Sequence, residues 1–120
     1  MEPLCVVLYQ NDPRAAQTLA VNLSQHFDSV HLARTYQEIR PAVTRHSAEA
    51  VVLDLETSGP CEVEHLHREF PELCIVGTHR LADDKLWTEA LNLGASDICE
   101  PRHQDVVSSL LRGIMHRAVA

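Results

Sequence analysis

Apolar segments of strand length alternate five times with stretches of helical periodicity, and this alternation is the feature that most constrains the fold. A helix that joins two neighbouring parallel strands crosses over one face of the sheet, and the crossover is right-handed. Five such units in a row predict a parallel sheet covered by helices on both faces. The predicted strands are Leu4–Tyr9, Ser29–Leu32, Ala50–Asp54, Cys74–Thr78 and Ser96–Cys99.

Capping residues predict where several helices begin and end. The pair Asp12–Pro13 is typical of a helix start, and apolar residues then recur at helical spacing as far as Phe27. Thr35 and Glu38 have the spacing of a capping box, which predicts the start of the second helix. Gly94 is placed to end the fourth helix, because glycine accepts the left-handed conformation found there.

The composition is that of an ordinary globular chain, and we expect residues 1–120 to form a single domain. Asp plus Glu number 17 against 10 Lys plus Arg, giving a formal net charge of -7. This balance argues against direct binding of nucleic acid, because phosphate contacts need clustered cations. The sequence shows no signal peptide and no apolar run of bilayer-spanning length, so we expect a cytoplasmic protein without membrane contact.

Five βα units fit the flavodoxin-like strand order 2-1-3-4-5, a three-layer α/β sandwich. In this order, functional residues lie beyond the carboxyl ends of the strands, where the strand order reverses. A carboxylate, a hydroxyl and several other polar groups are predicted at those ends. They are Gln10, Asn11 and Asp12 after the first strand, Asp54 ending the third, Thr78 ending the fourth, and Glu100 with Pro101 after the fifth.

In these segments the chain resembles the receiver domains of two-component response regulators, over essentially its whole length. The resemblance is carried by VVLDLETSG with Asp54, CIVGTHR with Thr78, ALNLGASDI around Gly94, and the dipeptide Glu100–Pro101. It implies that Asp54 matches the residue that accepts a phosphoryl group from a histidine kinase. It also implies that Thr78 matches the switch hydroxyl, which bonds to the acyl phosphate.

Three positions depart from the pattern of the family. The two acidic residues that hold Mg²⁺ align with Gln10 and Asn11, and the conserved lysine of the family aligns with Glu100. A charge–charge contact at 4 Å is worth about 4 kcal/mol at an effective dielectric near 20, so neutral amides weaken Mg²⁺ binding severely. Glu100 would repel an incoming phosphate. We therefore expect a degenerate pseudo-receiver with weak or absent Mg²⁺ binding, no other metal or cofactor, and no enzymatic activity.

The resemblance also implies a partner surface on the fourth helix, fifth strand and fifth helix. Trp87 and Leu91 fall on a stripe beside the apolar face of the fourth predicted helix, and Ile98 occupies a position that is often aromatic in the family. We expect a protein partner here, with a second copy of the chain as one possibility. Trp87 could instead lie flat over the helix edge and shield the core.

The sequence leaves other functions open. Asp54 could still accept a phosphoryl group, as in a working phosphoreceiver. Asp54 and Glu100 could instead bind a divalent cation, helped by Asn11. Nearby basic residues could satisfy the carboxylates in place of an ion, and the candidates are Arg80, Lys85 and Arg102. The sequence also leaves open whether an effector domain, for example one that controls transcription, follows the last helix.

Overall fold

The computed structural model describes residues 2–81 and 83–119, so both ends of the predicted 1–120 domain lie outside the described residues. The strands are β1 (Glu2–Tyr9), β2 (Phe27–Leu32), β3 (Ala50–Asp54), β4 (Cys74–Thr78) and β5 (Asp97–Cys99). The helices are α1 (Pro13–Leu23), α2 (Ile39–His46), α3 (Leu55–Ser58), α4 (Cys61–Glu69), α5 (Asp84–Asn92) and α6 (His103–Val119), with a 3-10 turn at Tyr36–Glu38. No helix among the described residues is long and apolar enough to cross a bilayer.

The strands form one parallel sheet in the order β2-β1-β3-β4-β5, which confirms the predicted flavodoxin-like α/β fold. β3 lies at the centre, and all of its residues are buried. In the register between β3 and β4, Asp54 is the partner of Thr78. The carboxyl ends of β1, β3 and β4 therefore meet at one edge of the sheet.

Successive side chains along each strand point to opposite faces of the sheet, so the core consists of two layers. α2, α3, α4 and α5 cover one face of the sheet, and α1 and α6 cover the other. The first layer includes Val7, Val51, Leu53 and Ile75 with Ile39, Val43, Val63 and Leu66. The second includes Val6, Leu8, Val52 and Val76 with Leu19, Leu23, Val106 and Leu110.

The predicted start of α1 is confirmed, whereas the predicted capping box of Thr35 and Glu38 begins the 3-10 turn that leads into α2. Asp12 accepts a hydrogen bond from the backbone N–H of Arg14 at 3.0 Å, and Pro13 is the first residue of α1. The Glu38 carboxylate accepts from the backbone N–H of Thr35, as a capping box requires. Satisfying these otherwise unpaired amides fixes the starts of α1 and of the 3-10 turn, and typically contributes about 1 kcal/mol for each cap.

One local expectation is wrong, and one short helix was not predicted. Phe27 does not continue the first helix: α1 ends at Leu23, and Phe27 begins β2 with 1% exposure in the core. α3 was not predicted, because one helical turn is too short to show periodicity. It forms because Asp54 accepts the backbone N–H of Glu56 and so caps its start.

Gly94 follows the end of α5 with a φ of 121°, and a Cβ at this position would overlap the ring of His67 on α4. We expect Gly94→Ala to lower the free energy of unfolding by about 1–3 kcal/mol, through both backbone strain and overpacking. Urea denaturation measures the change. In the double variant with His67→Gly, which removes both the ring and the Cβ of residue 67, only the overpacking part should be recovered, relative to His67→Gly alone. A Gly94→Ala protein as stable as the parent would contradict this account of the packing.

Candidate functional site

Of the residues predicted at the strand ends, Gln10, Asn11, Asp12, Asp54 and Pro101 line a cleft of about 490 Å³ at the carboxyl edge of the sheet, whereas Thr78 is buried and does not line it. The loops after β1, β3 and β4 form most of its walls, and the loop after β5 contributes one residue. The cleft is lined by Gln10, Asn11, Asp12, Ala15, Asp54, Glu56, Thr57, Arg80 and Pro101. Glu100 is exposed and does not line it.

The Asp54 carboxylate is held by three donors from the protein. One oxygen accepts the backbone N–H of Glu56 at 2.9 Å, and the other accepts the backbone N–H of Asn11 at 2.9 Å and the Thr57 hydroxyl at 3.3 Å. Asp54 is only 6% exposed. A carboxylate buried to this extent requires such bonds, because an unpaired buried charge is costly. The side chain thus acts as the cap of α3 and as a tie between the loops after β1 and β3.

Gln10 and Thr78 form a buried hydrogen bond across the end of β3. The side-chain N–H of Gln10 donates to the Thr78 hydroxyl oxygen at 2.7 Å, and that hydroxyl lies 3.5 Å from the Leu53 carbonyl, to which it donates. Gln10 is 8% exposed and Thr78 is 1% exposed. The hydroxyl at the switch position is therefore already bonded on both its donor and its acceptor side.

The residues at the cleft do not fit a magnesium ion. Mg²⁺ prefers anionic oxygens in octahedral geometry. Gln10 and Asn11 offer neutral amides where the ion would need carboxylates, and the Gln10 side-chain N–H donates to Thr78. Each Asp54 oxygen already accepts a hydrogen bond from the protein, and Glu56 pairs with Arg80. The described residues therefore provide no set of anionic oxygens arranged for the ion.

The alternative of a cation site built from Asp54 and Glu100 gains no support from the geometry. The Glu100 carboxylate forms an ion pair with Arg102, whereas Asp54 bonds to the loops after β1 and β3. Within residues 2–81 and 83–119, no group of three or more His, Cys, Asp or Glu side chains is arranged to hold a metal ion.

Arg80 supplies the positive charge at the cleft. Its guanidinium contacts both carboxylate oxygens of Glu56, with Nη2 at 3.0 Å from Oε1 and Nε at 3.1 Å from each oxygen. These hydrogen bonds lower the pKa of Glu56. The same bonds, together with the charges of Asp54 and Asp12, raise the pKa of Arg80. Of the three basic residues proposed from the sequence, Arg80 is the one that lines the cleft.

Glu56 was missed by the sequence reasoning. The sequence did contain a signal for this residue, because a side chain two positions after Asp54 can face the same cleft. The Glu56–Arg80 pair bridges the loops after β3 and β4, but Arg80 is largely exposed, so its direct contribution to stability is small.

A second groove, of about 610 Å³, lies beside the cleft between α5, β5 and α6. Trp87 lines it and is 40% exposed, and Leu91 on the same helix is 41% exposed. Ile98 also lines this groove, but its side chain is 2% exposed and packs in the core layer under α5. Strand alternation turns Ile98 inward and leaves Asp97 and Cys99 more exposed.

Comparison with solved structures finds this fold in response regulators. A response regulator from Thermotoga maritima matches with a TM-score of 0.79 at 19% identity, over 97% of this chain and 99% of that chain. A two-component response regulator from Clostridium difficile matches with a TM-score of 0.80 at 17% identity, over 98% and 99%. NtrX from Brucella abortus, solved in complex with ADP, matches with a TM-score of 0.85 at 16% identity, over 98% of this chain and 27% of that chain.

No protein-family model matches the sequence, and no curated protein matches it. The structural likenesses extend over nearly the whole chain at low identity. The chain therefore has the fold of response regulator receiver domains.

The Gln10–Thr78 hydrogen bond should contribute measurably to stability. We expect Thr78→Val to lower the free energy of unfolding by about 1–3 kcal/mol, because the buried Gln10 amide loses its acceptor. The double variant Gln10→Met/Thr78→Val should lose less than the sum of the single variants, as measured in a urea double-mutant cycle. Thr88→Val, at an exposed position of α5, is the matched control. Additive losses would show that the two residues are not coupled.

Proposed function

We propose that this chain is a receiver-like regulatory domain of bacterial two-component signal transduction that acts by protein contact and does not require phosphorylation of Asp54. The observation that carries the proposal is that three protein donors already engage the Asp54 carboxylate. Hydrogen bonds to both oxygens stabilise the anion and make it a weaker nucleophile towards a phosphoryl donor.

The charges around the cleft support the same proposal. Phosphoryl transfer depends on cations that neutralise the transferred oxygens. The cation that lines this cleft, Arg80, is already bidentate to Glu56, and Asp12 adds a further negative charge to the lining. Glu100, at the position of the family's lysine, bonds to Arg102 instead. We therefore propose a domain that is not an enzyme and needs no cofactor.

We propose a second copy of the chain as the protein partner, bound through the surface of α5, β5 and α6. Trp87 and Leu91 expose apolar area there, and large aromatic side chains are frequent energetic centres of interfaces. Ion pairs surround the groove, including Arg112 with Asp97 at 2.6 Å, and such pairs could exchange partners across an interface. The net charge of -7 makes nucleic acid an unsuitable partner for this domain, and we propose a cytoplasmic location.

Incubation with a small-molecule phosphodonor and Mg²⁺ should leave the chain unmodified. We expect no mass increase of one phosphoryl group on Asp54 by intact mass spectrometry, because the cleft lacks the metal-binding carboxylates and the lysine. An increase that requires Mg²⁺ and disappears in Asp54→Asn would overturn the proposal and establish a working phosphoreceiver.

A variant that restores the family's residues is the matched positive control. Gln10→Asp/Asn11→Asp/Glu100→Lys replaces the amides with carboxylates and the anion with a cation. We expect this variant to gain Mg²⁺-dependent modification of Asp54 under the same conditions. Its gain would show that the three positions, and not the scaffold, set the reactivity.

The partner surface can be tested through self-association. We expect Trp87→Ala to weaken dimerisation by about tenfold or more in sedimentation equilibrium, because it removes the largest exposed apolar side chain of the surface. Asp54→Ala should leave the dimer affinity unchanged. Val21→Ala, which trims an exposed apolar residue on α1, is the matched control. Loss of association in a folded Asp54→Ala protein would contradict the proposed independence from Asp54.

A further inference from the structure

Two stacked histidine rings join the last turn of α2 to the edge strand β2. The ring centroids of His31 and His46 are 3.5 Å apart, and the ring planes differ by 5°. Both residues are half-buried. His46 is the last residue of α2, and the chain then turns through Ser47 in the left-handed conformation, with a φ of 51°. The stack is therefore a contact between the end of a short helix and the outermost strand of the sheet.

The stack borders a groove of about 550 Å³ that is open to solvent. The charged residues that line it are Arg45 on α2, and Glu38 in the 3-10 turn. The Glu38 carboxylate is engaged by the backbone N–H groups of Arg34 and Thr35, as the cap of that turn. Arg45 adds a positive charge to the α2 side of the groove.

The charged residues on the sheet side of the stack lie at other positions along the strands. His31 pairs in register with Val7 of β1, so its immediate neighbour across the ladder is apolar. Asp28, which precedes it on β2, and Glu49, which precedes β3, both lie near Cys5, where their charges add to burial in raising the pKa of the thiol. These carboxylates are thus placed around Cys5, two residues before Val7 on β1.

Protonation of both rings works against the stack. Burial, and then the neighbouring His46, lowers the pKa of His31 below its ordinary value of 6.5. The rings are stacked at a centroid distance of 3.5 Å, so protons on both would place two cations face to face in a partly desolvated contact.

We propose that the His31–His46 stack is a proton-sensitive contact. It holds the end of α2 against β2 while at least one ring is neutral, and it breaks when both rings are protonated. The released segment is the last turn of α2 with the residues that lead into β3. The inference is independent of the proposed function, because none of these residues lines the Asp54 cleft.

The direction of the pH dependence follows from the lowered pKa of His31. The unfolded chain binds this proton more tightly than the folded chain does, so the contribution to stability is complete above the ordinary histidine pKa of about 6.5. It is lost as the pH falls through the lowered pKa of the folded state. Acid should therefore loosen the end of α2 before it unfolds the sheet.

Hydrogen exchange measured by NMR at about pH 7.5 and about pH 5 tests this contact. The exchange rates are corrected for the intrinsic effect of pH. We expect the protection of the amides in the last turn of α2 to fall by about tenfold relative to β3 in the parent protein. His46→Phe keeps an aromatic ring in the stack but cannot be protonated, so it should abolish most of this fall. His31→Phe is the reciprocal variant, which keeps the test decisive if one of the two does not fold.

A ring titration followed by NMR provides a second readout. The pKa of His31 should lie below 6.5 in the parent protein and rise towards that value in His46→Ala, which removes the neighbouring ring. His26→Gln removes an exposed imidazole elsewhere and should change neither readout. Equal loss of α2 protection in the parent and in both phenylalanine variants would overturn the proposal, as would an ordinary pKa of His31 in the parent.

Discussion

The cleft depends on the bonding of one buried carboxylate. Asp54 receives donors from the loop after β1 and from the first turn of α3, so a single side chain fixes both segments relative to the central strand. An unsatisfied carboxylate at 6% exposure would carry a large desolvation penalty. Because backbone amides and a hydroxyl supply the compensating bonds, the protein itself holds the carboxylate in place. The position of α3 and the shape of the cleft follow from this one arrangement.

The neighbouring polar side chains also find their partners within the protein. Gln10 could have been a free amide at the mouth of the cleft, but it turns inward and bonds to Thr78. Glu56 could have added a third negative charge to the cleft, but Arg80 neutralises it. Among the described residues, no buried side-chain nitrogen or oxygen lacks a hydrogen-bond partner. A cleft that satisfies its own polar groups gives little free energy to a ligand that must first break those bonds.

Much of the fold could be predicted from the sequence, because strands covered on both faces are nearly continuous apolar runs. The limits of β3 and β4 coincide with those predicted. The errors arose where local pattern is ambiguous. Phe27 lies four residues after Leu23, a spacing that fits a helix as well as it fits a new strand, and α3 is a single turn that depends on a side-chain cap. Ile98 was assigned to the partner surface through the family resemblance, which does not show that strand alternation turns its side chain towards the core.

Contacts between distant parts of the chain were beyond sequence reasoning for a different reason. The sequence predicted that Gln10 and Thr78 would lie at the same edge of the sheet, but not that one would bond to the other across β3. The stack of His31 on His46 likewise depends on how α2 rotates against β2. Core positions are fixed by packing, so the scaffold persists in structures with 16–19% identity. Residues at the cleft need only satisfy their hydrogen bonds, and many combinations of residues can do so. The fold of this chain can therefore persist while the chemistry at its strand ends changes.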